Sequence, residues 1–274
     1  MAIELHPRRI VALRRIVQTA RVAHAVRPSL KFVADVIRRS PLESYVVRRS
    51  GRRVFLRPHR DPQVARELLS KNAYALPTPL ANVLEGRETV RVLDVGANIG
   101  LFSLAVLDEY GPRARIVAVE PDPENLEVLR QNVAANDGDR QIEVLDVAVS
   151  TRPGVVRFDA GRAHASQVVD DGGDDTGRGV ISVKAADFFS IAAGCDLVKL
   201  DVEGSEWPLL RDTRLASLDA RALILEWHGG AGAGEDAKRL LEAAGFDVQL
   251  DELFVPGSGL LWAWRPRRSP PGVS

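Results

Sequence analysis

The sequence predicts an α/β fold: a doubly wound, largely parallel sheet preceded by a basic, mainly helical N-terminal extension. Three observations predict it. Short apolar runs alternate with segments of helical period through much of the chain. The first core run, Val90, Val92, Leu93 and Val95, leads into a glycine turn from Gly96 to Gly100 and then a helix opening with Leu101 and Phe102. The first 60 residues hold fifteen Lys and Arg against three acids (Glu4, Asp35, Glu43), although the whole chain is neutral with 37 of each sign.

In the extension, Ile10, Leu13, Val17 and Ala20 share one side of a helix from Ile10 to His24, and Arg8, Arg14, Arg15 and Arg21 share the other. Such a helix can dock on the core or lie on an anionic membrane surface. Nucleic acid is not an expected partner, because the basic residues are not interleaved with aromatics or set in a known motif. Pro28, Pro41 and Ser50-Gly51 punctuate the segment, and Tyr45–Leu56 reads as a hairpin. The division expected is 1–50 for the extension, 51–266 for the main domain and 267–274 for a disordered tail. The run from Arg265, rich in Arg, Pro and Ser, is the signal for that tail.

Within the main domain, Arg115–Pro121 supplies a second strand ending in Glu120. Asp122 follows as helix N-cap, with Pro123 in the first turn. Leu126, Val128, Leu129 and Val133 carry that helix to about Asn136. Ile142–Val149 reads as the third strand, Asp196–Asp201 as the fourth (continuing into Val202-Glu203-Gly204) and Ala222–His228 as the fifth. Gly154–Phe158 and Val180–Val183 are short strands around a Gly/Asp-rich surface loop, Asp170 to Gly179. A helix from about Glu235 stops at Gly245, and Phe246–Leu250 with Leu260–Trp264 close the sheet as a strand pair.

The glycine turn indicates a ligand, since glycine lets a bound molecule approach the backbone and tolerates positive φ. A dinucleotide fingerprint is G-x-G-x-x-G, with the pyrophosphate on the helix N-terminus. Here the pattern is D-x-G-x-x-x-G, with Asp94 ahead of Gly96 and Asn98 where a glycine would stand. An acid at that strand end suits a cationic ligand better than a diphosphate. S-adenosylmethionine, with its sulfonium and ammonium groups, is therefore favoured over NAD. Glu120, about 20 residues past the turn, is placed to accept both ribose hydroxyls. Asp94, Gly96, Ala97, Asn98, Gly100, Glu120 and Pro121 make up the expected cofactor site, with Asp146 and Ala148 at the strand end where adenine would lie.

Cys195 is the single cysteine, which excludes an internal disulfide and fits a reducing compartment. It precedes an apolar strand and reads as core or turn rather than nucleophile. No stretch approaches 18 uninterrupted apolar residues, and no continuous apolar segment with a small-residue cleavage site opens the chain. The expected location is cytoplasmic, with peripheral membrane contact through the basic segment as an additional partner.

Four blocks then carry a family resemblance: Val92–Ser103, Val117–Pro121 with Asn125, Leu197–Glu206, and Leu225–His228. Ala148-Val-Ser150 and Leu56-Arg-Pro58 with Asp61 add weaker support. Together they resemble the FkbM family of S-adenosylmethionine-dependent methyltransferases from about residue 55 to 250. The block Lys199-Leu-Asp-Val-Glu-Gly-Ser-Glu206 is its most specific part. The resemblance implies a Rossmann-like class I methyltransferase sheet and O-methyl transfer to a hydroxyl of a sugar, glycolipid or natural product. Residues 1–50 lie outside it.

Ligands of such sheets sit beyond the carboxyl ends of the strands, where Asp94, Glu120, Asp146, Asp201, Glu203, Glu226 and His228 fall. Methyl transfer depends mainly on positioning, and a base taking the hydroxyl proton adds about 10²–10⁴-fold. His228 is the candidate base, with a structural histidine at the sheet edge as the alternative. Asp201 is a second candidate, as base or as orienter of the acceptor, against a role bonding the Gly204 turn. Lys199 completes the candidate catalytic set, with pairing to a neighbouring acid as its expected role. Glu203 and Glu206 read as caps of the next helix. A metal variant would place Mg²⁺ or Mn²⁺ on Asp201, Glu226 and His228, but no local ligand spacing supports it. Trp207 and Trp227 are expected in the core rather than stacked on a sugar. His164, Ser166 and Gln167 are expected on the acceptor side. Two other readings compete. An NAD-dependent oxidoreductase lacks its second glycine and a Tyr-x-x-x-Lys pair, and a non-catalytic cofactor-binding protein would not require both strand-end acids.

Overall fold

The computed structural model describes residues 7–66, 69, 74, 76–161, 167–169, 179–250 and 257–265, with backbone alone for 7–15 and 167–169. The N-terminal region holds α1 (Pro7–Ala25), β1 (Val26–Arg27), α2 (Ser29–Arg38), β2 (Glu43–Val47) and β3 (Arg53–Leu56). β1, β2 and β3 form an antiparallel three-stranded sheet, so residue 50 falls in the turn of one hairpin. On α1, Val17 and Ala20 are exposed, and among the residues from 16 onward, whose side chains are described, the buried ones are Val22 and Ala23. Of the apolar side expected for that helix, Val17 and Ala20 therefore face solvent, while the side chains of Ile10 and Leu13 lie outside the described residues.

Two short helices follow, α3 (Pro62–Ala65) and α4 (Thr78–Leu84). The main sheet then begins with β4 (Val90–Val95), α5 (Leu101–Tyr110), β5 (Ala114–Val119), α6 (Pro123–Ala134) and β6 (Ile142–Leu145). β7 (Ala148–Ser150), β8 (Gly154–Asp159), β9 (Gln167–Val169) and β10 (Val180–Asp187) form a separate four-stranded sheet in the order β7-β10-β8-β9. The chain returns through α7 (Phe188–Ala192), β11 (Leu197–Leu200), α8 (Glu206–Leu210), β12 (Ala222–His228), α9 (Ala233–Ala243), β13 (Asp247–Leu250) and β14 (Ser258–Trp264).

The seven-stranded sheet runs β13-β14-β12-β11-β4-β5-β6, parallel except for β14, which lies antiparallel to both neighbours. Its strands are apolar on both faces because each face carries its own helical layer. One layer packs α5, α6 and the N-terminal unit on residues such as Val92, Ile116 and Ile224. The other packs α7, α8 and α9 on Leu93, Val198 and Leu225. Strand order reverses between β4 and β11. That reversal opens a crevice beyond their carboxyl ends, where ligands of such sheets bind.

Three expectations need correction. The third strand is two strands: Asp146 and Val147 end β6, and β7 pairs with β10 in the second sheet. The fourth strand stops at Leu200, and Glu203 turns away at φ 50°, so strand alternation does not set the directions of Asp201 and Glu203. Arg265 is not tail. Its N–H donates to Arg221 O, its guanidinium donates to carbonyls of Leu218 and Ala244, and it lies over the Phe246 ring. His164, Ser166, most of the Gly/Asp-rich loop and 267–274 lie outside the described residues, while Gln167 opens β9.

Candidate active site

The carboxyl ends of β4, β5, β11 and β12 meet at a cleft. Its first half is built from backbone. Gly96 and Ala97 both donate to Val119 O at 3.0 Å, which ties the turn to β5. Gly96 has φ 73°, and a Cβ there would lie 1.7 Å from Asp201 O, so only glycine lets β4 and the end of β11 touch. Asn98, also left-handed at φ 51°, donates its N–H to Glu120 Oε2 at 2.7 Å, while Asp122 N–H reaches Oε1 at 2.9 Å. The Asn125 side chain is a third donor to this carboxylate, whose four lone-pair sites leave room for one further donor. Burial pushes Glu120 up to about 7, against the pull of those two N–H groups.

This half is braced from outside. Asn132, fully buried on α6, accepts from Phe55 N–H and donates to Ile99 O, joining β3 to the glycine turn. Arg57 pairs with Asp61 at 2.8 Å and donates to Asn125 Oδ1 at 2.7 Å. The N-terminal hairpin thus holds the start of α6, whose N-cap Asp122 accepts from Glu124 and Asn125 N–H.

The second half is built from charged side chains. Lys199, 3% exposed, donates to Gly96 O at 2.9 Å and sits 3.4 Å from Asp94 Oδ1 and 3.3 Å from Asp201 Oδ2. Burial works to lower its pKa, but the carboxylates of Asp201, Asp94 and Glu226 outweigh burial and raise it. Lys199 is a fixed cation welding β4 to β11. His228, ending β12, has Nε2 at 3.3 Å from Glu203 Oε2 and 3.8 Å from Glu226 Oε1. Its Nδ1 lies 3.4 Å from Glu206 Oε1 without hydrogen-bond geometry, so that approach is a charge contact. Burial alone would depress the histidine, but Glu206, Glu203 and Asp201 push it up to about 9. Glu203 is pushed up to about 7 by burial first and by the Asp201 charge second.

Glu206 holds this arrangement. It is fully buried, accepting from Gly204 N–H through Oε2 at 2.8 Å and from His228 N–H through Oε1 at 2.6 Å. One carboxylate thereby pins the turn after β11 to the end of β12. Trp207 adds a second tie, its Nε1 donating to His228 O at 2.7 Å, and Trp227 is buried in the core.

Of the expected cofactor residues, Gly96, Ala97, Asn98, Glu120, Pro121 and Ala148 line the cleft. Asp94 does not: it is fully buried and bonded to Ser103 Oγ and Lys199, beneath the turn. Gly100 also lies below, as N-cap of α5 at φ 82° against Leu129. Asp146 is exposed and 3.9 Å from Arg130, off the cleft, because the chain changes sheets there. Lys199, Asp201 and Glu226 line the cleft, whereas His228 stands behind Glu203. The group whose ligand atoms fall within 4.8 Å of one another is Asp201, Glu203 and His228, with Glu203 where the sequence suggested Glu226. A metal there would compete with Lys199 for Asp201 and with the proton on His228. Sequence reasoning missed the walls Gln63, Val64, Tyr74 and Phe158, whose segments carry no motif. Tyr74 donates to Glu226 Oε2 at 3.2 Å and meets Phe102 edge-on.

Residues 94–248, more than half of the chain, match the family described as methyltransferase FkbM domain. The methyltransferase sdnD of Sordaria araneosa is 27% identical over 194 residues, covering 58% of this chain and 74% of that protein. The AMB antimetabolite synthetase AmbE of Pseudomonas aeruginosa is 30% identical over 207 residues, covering 58% of this chain but only 10% of that protein. A crystal structure of a methyltransferase FkbM from Methylobacillus flagellatus is similar with a TM-score of 0.49 at 14% identity, over 93% of this chain and 60% of that one. No helix among the described residues is long and apolar enough to cross a membrane. The matched segment contains all four strand ends that meet at the cleft, and the chain belongs to the methyltransferase FkbM domain family.

Proposed function

We propose that the chain transfers a methyl group from S-adenosyl-L-methionine to a hydroxyl of a small-molecule, glycan or glycolipid acceptor. The observation that carries this reading is the sharing of one cleft by a nucleoside-side carboxylate, Glu120, and a pair of proton-handling carboxyls, Asp201 and Glu203, the latter backed by His228. The cofactor fits the residues present. Glu120, bonded to two N–H groups and to the Asn125 side chain, has room to accept one ribose hydroxyl, and among the described residues the walls carry Glu120, Asp201, Glu203 and Glu226 against the single cation Lys199, already paired to two carboxylates. That balance favours a cationic ligand and opposes the diphosphate of NAD. When bound, S-adenosylmethionine supplies an activated methyl group on sulfur.

The protein's part is to position the acceptor and take its proton. His228, pushed up to about 9, is an imidazolium at neutral pH and has no lone pair with which to accept that proton. Glu203 is better matched: it faces the cleft, and a carboxyl pushed up to about 7 can accept a proton near neutrality. In this reading Glu203 is the base, His228 steadies its anion at 3.3 Å, and Asp201, held by Lys199, orients the hydroxyl. Because Glu203 and His228 are coupled, the two steps near 7 and 9 belong to the pair.

Calorimetric titration with S-adenosylmethionine, its demethylated product and NAD tests the cofactor assignment. We expect the first two to bind and NAD not to. In Glu120→Ala we expect binding weakened by about 10–100-fold, from the loss of charge-assisted bonds. Failure of S-adenosylmethionine to bind the wild-type protein refutes the reading.

A further inference from the structure

We propose that the outward face of α2, with the arginines around it, is a docking surface for an anionic lipid bilayer. At about 100° per residue, Leu30 and Ile37 stand within about 20° of each other. Phe32 and Asp35, 1% and 5% exposed, occupy the opposite side of α2 and seat it on the core. Leu30 is 86% and Ile37 77% exposed, with half-buried Val33 and Ala34 between them. Six large apolar side chains are exposed among the described residues, and four of them (Ile16, Val17, Leu30, Ile37) belong to α1 and α2. Exposed apolar surface is therefore concentrated in the same part of the chain that holds the whole positive excess.

Of this region's acids, Asp35 and Glu43 fall among the described residues, and neither offsets that charge outwardly. Asp35 and Glu43 both bind Lys31 at 2.6 Å, and Asp35 also accepts from Tyr45 Oη at 2.7 Å. Arg21, Arg27, Arg38, Arg39 and Arg48 are exposed. Exposed aliphatic side chains on a helix flanked by arginines at both ends (Arg27 and Arg48 at its start, Arg38 and Arg39 at its end) match an interface whose interior is apolar and whose headgroups are anionic. Nucleic acid is a poorer fit, because the exposed apolar groups are aliphatic and offer no ring on which a base could stack. α1 also packs on α3, whose Gln63 and Val64 line the cleft, so the docking unit shares a wall with the active site.

Flotation of the full chain with vesicles tests this, using pure phosphatidylcholine and phosphatidylcholine mixed with phosphatidylserine. We expect flotation with the mixed vesicles only, reversed by high salt. R38Q/R39Q should weaken it by about fivefold per arginine, and L30S/I37S by at least about tenfold, with the circular dichroism spectrum and melting temperature of each variant near wild type. Absence of flotation, equal flotation with neutral vesicles, or full flotation of a folded L30S/I37S variant each overturns the proposal. Concentration-dependent dimerisation that L30S/I37S abolishes, without vesicle binding, also overturns it and assigns the face to a second copy of the chain.

Discussion

The two halves of the cleft are built on different principles. At the ends of β4 and β5, the cleft-facing groups are backbone atoms and one carboxylate, fixed by peptide hydrogen bonds and by left-handed Gly96 and Asn98. At the ends of β11 and β12 stand the charged side chains Lys199, Asp201, Glu203, Glu206, Glu226 and His228, held mainly by one another. The first half is rigid because its geometry follows from chain direction. The second is tunable, since every charge in it sets the protonation of its neighbours.

Substitutions that cross between the halves should have the largest effect. Gly96→Ala drives a methyl group into Asp201 O at 1.7 Å from a residue at φ 73°. We expect a loss above about 4 kcal/mol, seen as failure to fold or a collapsed urea midpoint. Gly100→Ala meets only the Leu129 Cδ1 methyl, at 2.4 Å, and should lose about 1–3 kcal/mol. Equal losses at the two positions would remove the case for a backbone-on-backbone seam.

Chemistry comes next in size. With an acceptor in hand, Glu203→Gln should lower kcat by about 10²–10⁴-fold while leaving S-adenosylmethionine affinity within a few fold. The wild-type rate should rise as pH passes about 7, and that limb should vanish in the variant. If His228→Gln instead abolishes the limb while Glu203→Gln keeps it, the roles of the two residues are reversed.

Glu206→Gln sharpens the comparison at smaller cost. Both its oxygens accept from backbone N–H groups, so an amide nitrogen must face one of them, costing about 1–3 kcal/mol. Loss of the charge should bring the His228 titration, followed by NMR, down from about 9 towards its ordinary 6.5. An unchanged titration would show that Glu203 and Asp201 alone hold the imidazolium.

The smallest effect is on stability against pH. The folded value of His228, about 9, exceeds its ordinary 6.5, so its contribution is complete below about 6.5 and is lost as pH rises through about 9. Glu203, raised from 4.5 to about 7, has the same sign over a lower window. The melting temperature should therefore decline from about pH 4.5 to about pH 9, and His228→Gln should flatten the upper part of that decline. A flat wild-type profile would contradict the charged cluster.

The sequence by itself determined most of the core strands, the turn and the family. Short-range chemistry carried those: a buried parallel strand must be apolar, a turn under a ligand needs glycine, and Asp122-Pro123 starts a helix wherever it occurs. Glu120 was legible for the same reason, because it ends a strand whose neighbour is known from chain order. Asp146 was misplaced because continuity of apolar residues cannot reveal that Ala148 leaves one sheet for another. Only the tertiary structure decided that Glu203 rather than His228 faces the cleft, that Glu206 pins two strand ends, and that Tyr74 forms a wall. Those facts rest on contacts between residues 22 to 152 positions apart. The protonation of such a cluster depends on distances and burial, which no local pattern encodes.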